Sequence, residues 1–139
     1  MGAMSAFERL DAWKVCHELV LALHRFIKSL PDSQQDDALI CDVMRTAILA
    51  TAKIARGSGT HHRRMFQRCV DLAAGHLGEL GYHLMMAREF GVLPPEKWKE
   101  FDALRGRAVF YTFKLYISLG MRPDAGTSPD TEGEGVRDP

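Results

Sequence analysis

The sequence predicts an all-α fold: an antiparallel up-down-up-down four-helix bundle, assembled as a homo-oligomer. Three observations carry the helical part of that prediction. Four stretches repeat apolar residues at helical spacing, proline or glycine interrupts the pattern between them, and no stretch alternates with the two-residue period of a strand. Long amphipathic helices joined by short connections pack as antiparallel neighbours. At 139 residues and 15.6 kDa the chain suits one domain, a size that buries roughly 68–70% of the surface its unfolded form exposes. The bundle is expected over residues 7–120. Residues 1–6 are expected to be a disordered N-terminus or a cloning scar.

The first helix is predicted from about Phe7 to Ser29, because Phe7, Leu10, Trp13, Leu19 or Val20, Leu23, Ile27 and Leu30 recur at helical spacing, and Pro31-Asp32-Ser33 stops it. The second begins near Asp36-Asp37, whose carboxylates suit a helix N-terminus, and runs to about Arg56 before Gly57 and Gly59 interrupt it. Ile40, Val43, Ala47, Ala50 and Ile54 fall on its core side, and Arg45, Leu49, Lys53 and Arg56 fall opposite. The third is expected to start with Ser58 or Thr60 as N-cap and to end at Gly91. Met65, Phe66, Cys69, Leu72, Ala73, Leu80, Leu84 and Ala87 form its core side. Ala74, Gly75, Gly78 and Gly81 make a strip of small residues on the other side. Each internal glycine costs about 1 kcal/mol of helix stability relative to alanine, so the strip implies either a close helix contact or a weak, bent segment.

The fourth helix opens at Pro94-Pro95 and ends at Gly120, with Phe101, Leu104, Ala108, Tyr111, Leu115 and Leu119 facing the core. Val109, Phe113, Tyr116 and Ile117 form a second apolar side that one bundle cannot cover, which implies a partner subunit. The interface is therefore expected at Ala74, Gly78 and Gly81 and at Val109, Phe113, Tyr116 and Ile117. The segment 121–139 is expected to be an acidic disordered tail, since 122–139 holds five carboxylates, three prolines and no aromatic residue.

Composition narrows the class further. Lysine plus arginine and aspartate plus glutamate each number 18, and 46% of residues are hydrophobic, as in a soluble globular protein. No apolar run approaches the roughly 20 residues of a spanning helix, and the N-terminus matches neither a signal peptide nor a myristoylation site. Cys16, Cys41 and Cys69 lie within helical patterns and never as Cys-x-x-Cys, which predicts buried thiols and a cytoplasmic location.

Against that neutral balance, Val43 to Val70 stands out, with Arg45, Lys53, Arg56, Arg63, Arg64 and Arg68 and no carboxylate. The break at Gly57-Ser58-Gly59-Thr60 precedes a helix whose first turn would offer free backbone N–H groups beside four basic side chains, His61, His62, Arg63 and Arg64. Cations there oppose the helix dipole unless an anion joins them. Arg45, Lys53, Arg56, Ser58, Thr60, Arg63, Arg64 and Arg68 are thus candidates for contact with RNA or DNA phosphates. The alternative is a solvated basic face, or one that meets an acidic protein or a neighbouring subunit. The loop is not a Walker A motif, because it follows a helix and lacks Gly-x-x-x-x-Gly-Lys.

Several blocks resemble one family in order and spacing. They are Phe7-Glu8-Arg9-Leu10-Asp11-Ala12-Trp13, Leu30-Pro31, Arg45-Thr46-Ala47, Ile54-Ala55 with Gly57, and Ala73-Ala74-Gly75-His76-Leu77-Gly78-Glu79-Leu80. Over about Phe7 to Leu119 the chain resembles the four-helix-bundle proteins encoded in intervening sequences of bacterial 23S rRNA genes. The resemblance implies a homopentamer without enzymatic activity. It extends to the accessory proteins of diversity-generating retroelements, which serve a reverse transcriptase and its RNA. Lys53-Ile54-Ala55-Arg56-Gly57 departs from the family's usual Asn-Ile-Ala-Glu-Gly by placing two cations, and Gly75-His76 replaces its usual Gly-Ser.

Other chemistry has less support. His76, Glu79 and His83 share the core-leaning side of the third helix, but no Glu-x-x-His pair completes a di-iron set. They are expected as satisfied polar residues, with Glu79 a candidate buried carboxylate fixing helix register, and no metal or cofactor is predicted. His17 and His24 share a helix face, and Trp13, Trp98 and the aromatic run Phe110–Tyr116 follow the helical period of core and interface. No nucleophile elbow or placeable Cys/His pair points to an enzyme. The sequence thus predicts a non-enzymatic oligomeric scaffold, whose partners are its own copies and RNA or DNA, or else a reverse transcriptase or other protein, with no membrane.

Overall fold

In the computed structural model, residues 4–121 are described, and they contain helices and no strand. A 3₁₀ turn, Ala6–Arg9, precedes α1 (Asp11–Lys28), α2 (Asp32–Gln35), α3 (Ala38–Ser58), α4 (Arg63–Glu89) and α5 (Pro95–Met121). Of the ends expected to be disordered, 1–6 and 121–139, residues 1–3 and 122–139 lie outside the described residues, whereas Ser5 caps the 3₁₀ turn that begins at Ala6 and Met121 is the last residue of α5.

Contacts run in a closed circuit, α1 with α3, α3 with α4, α4 with α5, and α5 back to α1. Each long helix therefore packs on two others and turns one stripe inward. The core at their centre includes Leu19 and Leu23 of α1, Ile54 of α3, Leu77, Leu80 and Leu84 of α4, and Phe101 of α5, all essentially inaccessible. A cavity of about 10 Å³ between Leu23, Val43, Leu84 and Phe101 has barely the room for one water.

Local chemistry sets the ends of the elements. The first helix is not continuous from Phe7: Leu10 takes an extended conformation and α1 restarts at Asp11. That bend returns the Phe7 ring to 4.9 Å from Trp13, which in turn stacks on His17 at 4.6 Å. Four residues give too little periodicity to reveal α2, which Gln35 ties back by donating to the Leu30 carbonyl at 2.8 Å. Asp37 caps α3 by accepting from the N–H groups of Leu39 and Ile40. At the end of α4, Gly91 adopts φ +78°, where the N–H groups of Val92 and Leu93 reach the Ala87 carbonyl.

Three expectations about burial are corrected. Met65 and Leu72 are exposed, while Val70 and Leu77 take their places in the core. Successive α4 residues are 100° apart, and the inward direction centres on Ala73, Leu80 and Leu84 rather than between them and Leu72. Cys41 is exposed, because it precedes Arg45 by four residues on the outer stripe of α3. Glu79 is exposed as well and pairs with His76 at 3.2 Å, so it is not a buried register-setting carboxylate.

Candidate nucleic-acid interface

The basic corner is built where α3 ends and α4 begins. Gly57 is buried, and a Cβ there would stand 2.8 Å from Phe66 Cδ1 and 2.9 Å from Cys69 Cβ. Only glycine permits this approach. Its close packing also carries α3 through Gly57 to Ser58, so Gly57 does not break the helix.

The cap assignments change accordingly. Ser58 is the last residue of α3, and its hydroxyl donates to the Ala55 carbonyl at 2.8 Å. Thr60 lies in the loop, where its Oγ1 accepts from the His62 N–H at 3.3 Å. His62 is the N-cap of α4 and makes no side-chain capping bond. Neither Ser58 nor Thr60 therefore caps α4. The first intrahelical bond runs from Phe66 N–H to His62 O at 2.9 Å, and the N–H groups of Arg64 and Met65 have no acceptor among the described residues.

Lys53 and Arg56 lie in the last two turns of α3 and Arg63, Arg64 and Arg68 in the first two turns of α4, whereas Arg45 lies nearer the start of α3. Arg56, Arg64 and Arg68 are exposed and Lys53 is half-buried. None of these four makes an ion pair with another described residue. Arg63 is half-buried, on the same face of α4 as Gln67, whose side-chain amide donates to the Tyr116 carbonyl of α5 at 3.1 Å. Arg45 belongs elsewhere. Eleven residues along α3 from Arg56 amount to about 16 Å of helix, and there Arg45 donates to Asp42 at 2.9 Å. The hydrogen bond and charge of Asp42, with a smaller contribution from Glu79, raise the Arg45 pKa and hold it cationic.

The histidines of α4 have modest partners. His83 Nδ1 is 3.2 Å from the Thr46 hydroxyl, which donates its own proton to the Asp42 carbonyl at 2.6 Å. Nδ1 of His83 must therefore be the protonated nitrogen and donate to Thr46. No group of three potential metal ligands occurs among the described residues.

The interface candidates divide in the same way. Phe113 is 58% exposed, and Val109, Tyr116 and Ile117 are also exposed. Together with Phe110 and Met121 they give α5 an apolar outer side. Ala74 and Gly78 lie open on α4. Gly81 does not, since a Cβ there would meet the Arg105 guanidinium at 2.7 Å. Sequence periodicity located these faces, but the Gln67–Tyr116 and Arg105–Gly81 contacts bridge different helices and leave no periodic signal.

No helix among the described residues is long and apolar enough to cross a membrane. No curated protein matches the chain. A family described as 23S rRNA-intervening sequence protein matches residues 8–107, which span the whole of α1 to α4, the first half of α5 and the basic corner. The chain belongs to the 23S rRNA-intervening sequence protein family.

Proposed function

We propose that the protein is a non-enzymatic, homo-oligomeric scaffold that contacts the phosphate backbone of nucleic acid through its α3/α4 corner. Each copy is an antiparallel up-down-up-down four-helix bundle, and five copies are the preferred assembly. The observation that carries the reading is the grouping of Lys53, Arg56, Arg64 and Arg68, without ion-pair partners among the described residues, beside the open first turn of α4. Cations at a helix N-terminus are unfavourable alone and favourable once a phosphate joins them. The family description favours RNA as the first ligand to try. Three unpaired thiols suit a reducing cytoplasm.

Binding of labelled structured RNA and of duplex DNA, each across a salt series, tests this reading. An Arg56→Glu/Arg64→Glu/Arg68→Glu variant is compared at equal helicity and assembly mass. Loss of binding in the variant, with wild-type binding that weakens steeply as salt rises, supports the corner. Absence of binding at low salt by an intact wild-type assembly overturns it.

The second reading is a protein-interaction scaffold, favoured by one contact. The Gln67–Tyr116 hydrogen bond sets the basic corner beside the exposed apolar side of α5. An acidic protein surface or a neighbouring subunit would engage both surfaces. Association with an acidic protein in the absence of nucleic acid separates the two readings.

A further inference from the structure

The end of α5 stands beside the basic corner. A Cβ at Gly120, in the last turn of α5, would lie 2.6 Å from the side-chain nitrogen of Gln67, and that nitrogen donates to the Tyr116 carbonyl at 3.1 Å. Gln67 directly precedes Arg68 and follows Arg64 by about one helical turn. The sequence that leaves Met121 therefore starts against the first turns of α4.

Its charge is opposite to that of the corner. Beyond Met121 come Asp124, Asp130, Glu132 and Glu134, with no lysine or arginine among them. The corner presents Lys53, Arg56, Arg64 and Arg68, none of which pairs with another described residue, and the chain from Val43 to Val70 holds no carboxylate. Reach is sufficient as well. Asp124 follows Met121 by three residues, which span up to about 10 Å and bring it to Arg64. α4 separates α5 from α3 in the contact circuit, and a helix with its side chains is about 10–12 Å across. Asp130 follows Met121 by nine residues, which span up to about 30 Å and carry it across α4 to Lys53 or Arg56 on α3.

We propose that segment 124–134 lies across the α3/α4 corner in the free protein and yields it to phosphates when nucleic acid binds. The contact is independent of nucleic acid, whereas its displacement rests on the phosphate-binding function proposed above. Tethering supplies the strength. Exposed charge pairs are weak between separate molecules, but a short linker holds the segment at a millimolar effective concentration. The segment competes with any bound anion, so the corner favours ligands that neutralise several cations at once over a lone phosphate.

The test treats the full chain, at low salt and without nucleic acid, with a water-soluble carbodiimide that condenses a carboxylate with an adjacent amine. Joined peptides are identified by mass spectrometry, and Lys97 with Glu100, 3.4 Å apart, verifies the reagent. The proposal expects Lys53 to be joined to Asp130, Glu132 or Glu134. That link should disappear in the Arg56→Glu/Arg64→Glu/Arg68→Glu variant at equal helicity, and also when structured RNA saturates the wild type. A second variant, Asp124→Asn/Asp130→Asn/Glu132→Gln/Glu134→Gln, should bind the same RNA about three- to tenfold more tightly at low salt, with the gap closing as salt rises. The Lys97–Glu100 link without the Lys53 link overturns the contact, as does a Lys53 link undiminished in the arginine variant. A link that persists in the RNA complex, or wild-type affinity in the neutralised variant, overturns the displacement. Absence of RNA binding by both proteins removes the phosphate reading and the displacement with it, while the Lys53 link alone decides the contact.

Discussion

The guanidinium of Arg105 occupies the space where a side chain at Gly81 would stand. Its Cζ is 2.7 Å from the position of that Cβ, while Nε and Nη2 donate to Asp102 Oδ1 and Nη1 donates to the Leu77 carbonyl at 3.3 Å. Arg105 thus fastens α5 to the backbone of α4, and Gly81 is the residue that admits it.

A double-mutant cycle reads this coupling. Gly81→Ala gains helix propensity but displaces Arg105, so it is expected to leave stability nearly unchanged. In an Arg105→Ala background the same substitution should recover about 1 kcal/mol. Gly106→Ala, with no atom within 4 Å of its Cβ, gains the full amount in either background. Urea midpoints at constant m check all three.

Gly57→Ala should behave in the opposite way. Its new Cβ would press on Cys69 Cβ, which moves only with the α4 backbone, and on the Phe66 ring. The expected cost is about 1–3 kcal/mol. Because this contact positions the start of α4, nucleic-acid binding should weaken along with stability.

The thiols provide a third prediction. Cys41 is exposed whereas Cys16 and Cys69 are buried, so a thiol reagent at pH 8 should label one site rapidly and the others only as fast as the fold opens. Burial raises the Cys16 pKa to about 11 from an ordinary 9.0. The nearby Thr112 hydroxyl pulls it slightly the other way, although Thr112 Oγ1 lacks a hydrogen bond of proper geometry. The folded state holds this proton more tightly than the unfolded state. Stability from Cys16 is therefore complete below pH 9 and declines as pH rises through 11, by up to about 2–3 kcal/mol. Between pH 8 and 11, the wild-type advantage over Cys16→Ala should shrink by that amount in urea titrations.

Much of this arrangement could be read from the sequence, and particular residues show why the rest could not. Leu19, Ile54, Leu84 and Phe101 each belong to an apolar repeat at helical spacing on a different helix, so most of the core positions and the limits of α3 to α5 followed closely. Gly57 looked like a breaker because glycine usually is one, but its burial against Phe66 and Cys69 depends on a partner helix. Ser58 and Thr60 were plausible caps for the same reason, until α3 continued past Gly57. Arg45 shares a helical stripe with Arg56, and its partner Asp42 was legible as an i,i+3 pair, but it lies one residue outside the carboxylate-free stretch that defined the corner. The open Gly78 and the filled Gly81 are indistinguishable by composition. Arg105 tells them apart only once α4 and α5 are side by side.

The most direct measurement of the central claim compares Arg56→Ala with Arg45→Ala in RNA affinity across a salt series. The account predicts that Arg56→Ala weakens binding for every RNA sequence and lowers the slope of log affinity against log salt by about one. Arg45→Ala, which removes an already paired cation outside the corner, should leave both affinity and slope unchanged. Equal losses from the two substitutions, or a wild-type affinity indifferent to salt, would contradict a phosphate-binding corner between α3 and α4.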